Sequence, residues 1–203
     1  SAVHAQYGQS LEAASQWEQI QTRWLSLKVS AQNADWPEFE LNHAALFESI
    51  DGLTSLVGDT SYLILDPTLD TYYMMDTVLI KAPENQRLIF ETYQISKQGI
   101  EAGSFTVEQR TLLIATIGRL EANLETMDRN IGVGVQNDTT GEMQQIISSP
   151  LENYGTNLLA FTDLVSAIVN DGATAEPANP GDMLTALGSA YEDLDAADTE
   201  LYS

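Results

Sequence analysis

Along almost the whole chain, apolar side chains recur at alternating steps of three and four. That spacing lines one face of a helix and packs it against antiparallel neighbours. Period-two alternation, which a half-buried strand needs, is scarce. One seam runs through Leu113, Ile117, Leu120, Leu124, Met127 and Ile131; a second runs from Ile147 through Leu151, Tyr154, Leu158, Phe161 and Val165 to Ile168. Phe39, His43, Leu46, Ile50, Leu53 and Val57 make a third, and Tyr72, Met75, Leu79, Ala82, Gln86, Ile89 and Tyr93 a fourth. The fold class this predicts is all-α, with these four helices forming one bundle.

Two more helical segments flank the four. The first carries Trp17, Ile20, Trp24 and Leu27 on one stripe, the last Leu184, Leu187, Tyr191, Leu194 and Leu201. Breaks fall at Asn33 to Pro37, at Glu101 to Ser104 around Gly103, at Gln136 to Gly141, and in the Pro- and Gly-rich stretch from 171 to 182. Pro83 lies inside the fourth seam and predicts a kink near Leu79. Residues 1–58 and 139–203 each hold enough helix to span roughly 80 Å at about 1.5 Å per residue, twice the reach of the middle helices. The economical arrangement is an elongated antiparallel bundle in one domain. A membrane-distal four-helix bundle (37–172) stands on a two-helix stalk (1–33 and 180–203). A second copy covers the tryptophan stripe, giving a homodimer through the stalk helices. The alternative reverses the chain at Asn33 to Pro37 and gives a compact six-helix domain.

Only 8 Lys and Arg stand against 30 Asp and Glu, a formal charge of −22. Such a chain repels phosphate backbones and anionic lipid surfaces, which excludes nucleic acid as a partner. With no cysteine it has neither a disulfide framework nor a thiolate site. No apolar run is long enough to cross a membrane, and the first ten residues lack the features of a signal peptide.

Within this helical frame residues 65–76, LDPTLDTYYMMD, form a turn and a helix start. Asp66 and Pro67 stop the preceding helix, and Asp70 caps the next. The segment resembles a motif in the extracytoplasmic sensor region of bacterial transmembrane receptors: methyl-accepting chemotaxis proteins, sensor histidine kinases and diguanylate cyclases. There Asp often stands at the place of Thr68, Ser at that of Thr71 and Leu at that of Met74. Residues 184–202 are similar to the helix that precedes the second membrane span in such receptors. The resemblance implies a periplasmic sensor domain on the outer side of the cell membrane, between two membrane spans lying outside residues 1 and 203. It would bind a small-molecule solute or a periplasmic binding protein and signal through its first and last helices. It also implies that the domain performs no chemistry itself and needs no cofactor. The competing class is a soluble acidic helical adaptor or structural protein.

Catalytic patterns are sparse. Glu40-x-x-His43 is one copy of a spacing that diiron bundles use twice with further glutamates, so no metal is expected. For ligand binding, pairing residues about the predicted turns brings Arg87 level with Arg119, with His43 and the seam residue Gln86 near the same height, as in a polar layer crossing the bundle. Two arginines there would hold a carboxylate by bidentate hydrogen bonds; alternatively each pairs with a neighbour such as Glu84, Glu91, Glu121 or Asn123 on a solvated face. Tyr72 and Tyr73 point about 100° apart, so both cannot face one core. Either they wall a pocket with Asp70 and Asp76 as acceptors for an amine, or they wedge the cap turn in place.

The charge balance predicts that stability rises with ionic strength, because screening relieves repulsion among the carboxylates. Melting temperature against sodium chloride should climb between low and moderate salt. A flat curve would mean the charges are already paired or dispersed.

Overall fold

A computed structural model describes residues 7–33, 36–62, 68–171 and 179–202, and among these every regular element is helical. The helices are α1 (Ala14–Gln32), α2 (Trp36–Thr60), α3 (Leu69–Asp76), α4 (Ala82–Glu101), α5 (Val107–Asn137), α6 (Glu142–Asp171) and α7 (Pro180–Leu201); a π-helical turn, Thr77–Lys81, leads from α3 into α4. The chain divides into two compact units, Ser1–Met75 and Asp76–Ser203. No described helix is long and apolar enough to cross a membrane.

In the first unit α1 and α2 pair antiparallel. Arg23 donates to the Ala45 carbonyl (3.0 Å), Asn42 to the Ser30 hydroxyl (3.3 Å), and Thr60 to the Leu11 carbonyl (3.1 Å), so partner numbers run in opposite directions. The chain therefore reverses between residues 33 and 36, where the longer-arm arrangement required it to continue. Pro37 explains the restart: at the second position of α2 its missing N–H is one the helix would leave unbonded anyway. Ile20, Leu27 and Leu46 form the core, with Trp17, Phe39 and Leu53 packed against it. Trp24, grouped with Trp17 from spacing, is instead half exposed, with the Lys28 ammonium 5.5 Å from its ring centre.

The second unit is a four-helix bundle of α4, α5, α6 and α7. Its centre is Leu113, Leu120 and Met127 of α5, Tyr154, Leu158 and Phe161 of α6, and Leu187 and Leu194 of α7, all wholly buried. The seams of α5 and α6 are those read from periodicity. The identity of the fourth helix is not: α7 takes the place that the stalk-and-bundle arrangement gave to residues 37–58, so residues 180–203 do not stand off as a stalk. Periodicity marks which face of a helix is apolar but not which neighbour covers it, and the α2 face is satisfied by α1.

The face of α4 is also turned relative to the expected seam. Ala82 donates to the Thr77 carbonyl, five residues back, where an α-helix would use the fourth. In α geometry the ring of Pro83 would collide with the Leu79 carbonyl, and the π-turn relieves this. Beyond it the wholly buried positions are Asn85, Thr92 and Ser96, while Gln86 and Tyr93 are only half buried.

Two local devices close the α4–α5 hairpin. Gly103, at φ +71°, donates to the Ile100 carbonyl and Ser104 to the Gly99 carbonyl, which satisfies the last carbonyls of α4. Thr106 and Gln109 then exchange side-chain and backbone bonds (3.1 and 2.9 Å) as the capping box of α5. The Phe105 ring lies against Gly99, where an added Cβ would sit 2.1 Å from ring Cε1. Gly99→Ala should therefore displace Phe105 and destabilise the bundle by roughly 1–3 kcal/mol. Gly118→Ala, with nothing within 4 Å of the new methyl, should instead stabilise by about 0.5–1 kcal/mol. Urea unfolding of both variants checks the contrast.

Candidate functional site

Of the residues singled out from sequence, His43, Tyr72 and Tyr73 fall in the first unit and Asp76, Arg87 and Arg119 in the second. His43 lies in α2, half buried between Phe39 and Phe47 (ring centres 5.8 and 4.7 Å), and burial lowers its pKa below the usual histidine value. Tyr72 and Tyr73 meet edge to face at 5.4 Å in α3, and Tyr72 is largely exposed. The residues 65–67 and the side chain of Asp70 lie outside the described residues, as does the side chain of Glu40. Arg87 bonds Glu91 on its own helix (2.7 Å), both well exposed. Arg119 reaches across from α5 to Glu84 on α4 (Nε to Oε1, 2.6 Å). The two arginines thus pair separately, each with a carboxylate of the chain itself.

A polar layer does cross the bundle, built from residues that the apolar seams skipped. Glu84 accepts from Arg119 and from Asn123 (3.1 Å); Asn123 donates also to Asn85 Oδ1 (2.9 Å); Asn85 Nδ2 donates to the Tyr154 hydroxyl (3.0 Å). Asn85 and Tyr154 are wholly buried and Asn123 nearly so, so one hydrogen-bonded chain ties α4, α5 and α6 together through the core. Burial raises the Tyr154 pKa far above the ordinary tyrosine value, so the hydroxyl stays protonated. Two shorter links flank the layer. Asn130 donates to Asp76, the last residue of the receptor-like motif (2.6 Å), and Gln86 donates to Asp198 on α7 (2.6 Å).

The layer had a legible signal. Thr116, Asn123 and Asn130 on α5, and Asn85 and Thr92 on α4, recur every seven residues beside the apolar seams, and all are buried. Polar residues at seam spacing mark the face where two helices share hydrogen bonds. Asp198 gave no such signal.

On the outer surface of the α5–α6 hairpin runs an open groove of about 530 Å³. It has aliphatic walls and carries Glu125, Asp128 and Glu152. Among the described residues no three of the usual metal-binding side chains converge.

Asp198 has the most perturbed carboxyl. It is 8 % exposed, its Oδ1 is buried without a hydrogen-bond partner, and its pKa is pushed up to about 6. Burial is the main cause, the neighbouring Asp195 adds to it, and the Gln86 bond opposes it. A pKa raised in the fold above the ordinary 3.8 means that its stabilising contribution is complete below about pH 4 and lost as pH rises through 6. Asp198→Asn should therefore gain stability over the parent across that window, by about 2–3 kcal/mol at neutral pH. Urea unfolding of both proteins from about pH 4 to pH 8 reads the difference, and a constant gap would contradict it. No family model, curated protein or solved structure matches the chain.

Proposed function

We propose that this chain is a ligand-sensing extracytoplasmic domain of a transmembrane receptor of the chemoreceptor or sensor-kinase kind, lying in the periplasm between two membrane spans. The observation that carries the reading is the motif at residues 65–76, whose last carboxylate, Asp76, is held by Asn130 at one end of the buried polar layer. A sensor needs an element with two arrangements of similar energy, and ligand has to bias one of them. A polar layer suits this, because its hydrogen bonds are satisfied only in discrete registers and so separate one arrangement from the next. Output passes through the first and last helices. A second copy packs through α1, where Trp24, Leu25 and Val29 are exposed. The ligand is a small solute or a solute-loaded binding protein.

The rival reading, a soluble acidic adaptor, draws on the charge alone. A thermal-shift screen with amino acids, organic acids and amines separates the two. A ligand present at one hundred times its Kd stabilises by about 2.7 kcal/mol, a rise of roughly 5–10 °C for a chain of this size. At least one compound should give a saturable shift of that order. If none of the three classes does, the sensor reading gives way to the adaptor.

A further inference from the structure

The register of α5 against α6 is marked by Leu124, whose Cδ1 lies 3.4 Å from the point where Gly155 would carry a Cβ. Residues 125–128 therefore stand at the height of 151–154 on the facing helix. This places Glu125 and Asp128 on one wall of the groove and Glu152 on the other at a common level. The floor on either side is aliphatic, with Leu124, Ile131 and Leu151 among its residues. Its depth owes much to Gly132 and Gly155, one on each wall.

The three carboxylates differ from the acids that the core of the bundle holds. Asp76, Glu84 and Asp198 each accept a hydrogen bond from an amide or a guanidinium. Glu125, Asp128 and Glu152 have no side-chain hydrogen bond or ion pair among the described residues, and no Lys, Arg or His lines the groove. The geometry points to a small organic cation as the occupant: an amine or quaternary ammonium whose charge meets the three carboxylates and whose aliphatic body lies along the floor.

Each alternative meets an obstacle. An anion would face three like charges. The lining has no aromatic ring, so the carboxylates must hold the cation rather than a π-face cage. The volume, about 530 Å³, falls within the usual range for small-molecule sites. This assignment rests on the sensor reading and names the ligand class.

Calorimetry on the whole chain tests it, with hexyltrimethylammonium as probe and hexanesulfonate and tetramethylammonium as controls. Hexyltrimethylammonium should bind at one site. The anion should not bind, and the tail-less cation should bind at least tenfold more weakly. Gly132→Leu grows a side chain into the groove from a position where an added Cβ meets nothing within 4 Å, so it should leave thermal stability intact and weaken binding at least tenfold. Asp128→Asn with Glu152→Gln should weaken it to a similar degree and flatten its dependence on salt.

Equal binding of both cations would reduce the effect to counterion attraction and overturn the proposal, as would unchanged affinity in both variants. A change in sedimentation on Gly132→Leu would make the groove an interface between copies and overturn it too. If the probe fails while another compound in the thermal-shift screen succeeds, the cation assignment falls and the sensor reading stands. If no compound acts, both fall.

Discussion

The second unit depends on what its core does with Asn85. A wholly buried amide has to use both its ends, since an unpaired one costs about 1–3 kcal/mol. Its oxygen accepts from Asn123 on α5 and its nitrogen donates to Tyr154 on α6. Only one axial register of the three helices meets both requirements. The apolar residues around it, Leu120, Met127, Leu158 and Phe161, supply the larger share of the driving force. Aliphatic packing tolerates sliding by a turn far better than a donor and acceptor fixed about 3 Å apart.

The same layer shows how a chain with so few cations handles its carboxylates. Among the acids at the edge of the core, only Glu84 meets a guanidinium, and even it shares the Asn123 amide. Asp76 and Asp198 rely on Asn130 and Gln86 alone. An amide donor relieves part of the desolvation of a buried carboxylate but none of its charge. Burial, with one oxygen bonded and the other without a partner, pushes the pKa of Asp198 up to about 6 for this reason. Arg87 and Arg119, which looked scarce enough to be reserved for a ligand, are used up by the nearest glutamates.

Much of the fold was legible because helix faces are written in a local code. The seams of α5 and α6, the Gly103 turn and the distortion ahead of Pro83 all follow from residues within a few turns of one another. Partner choice is not local. Residues 37–58 and 180–203 carry equally good apolar stripes, and only the competition among all faces decides that α1 covers the first and the bundle covers the second. The candidate site was legible in part for a similar reason. The spacing predicts a polar layer at this height on α4 but assigns Gln86 to it, because Gln86 falls on the apolar period. The π-turn and the heptad of Asn85 and Thr92 show the buried face to lie one residue earlier.

That single-residue offset sets the polar layer. Without Pro83, α3 and α4 would form one α-helix, and the face carrying Met75 would continue on the period through Leu79, Ala82 and Gln86. The π-turn inserts one residue into that path and so rotates everything after it by about 100°. Asn85 and Thr92 turn inward, and Gln86 moves to the flank where it meets Asp198 on α7. A π-turn is a strained element, held because the surroundings require it. Its removal would take Asn85 from both of its partners at once. The π-turn and the hydrogen bonds of Asn85 therefore stand or fall together.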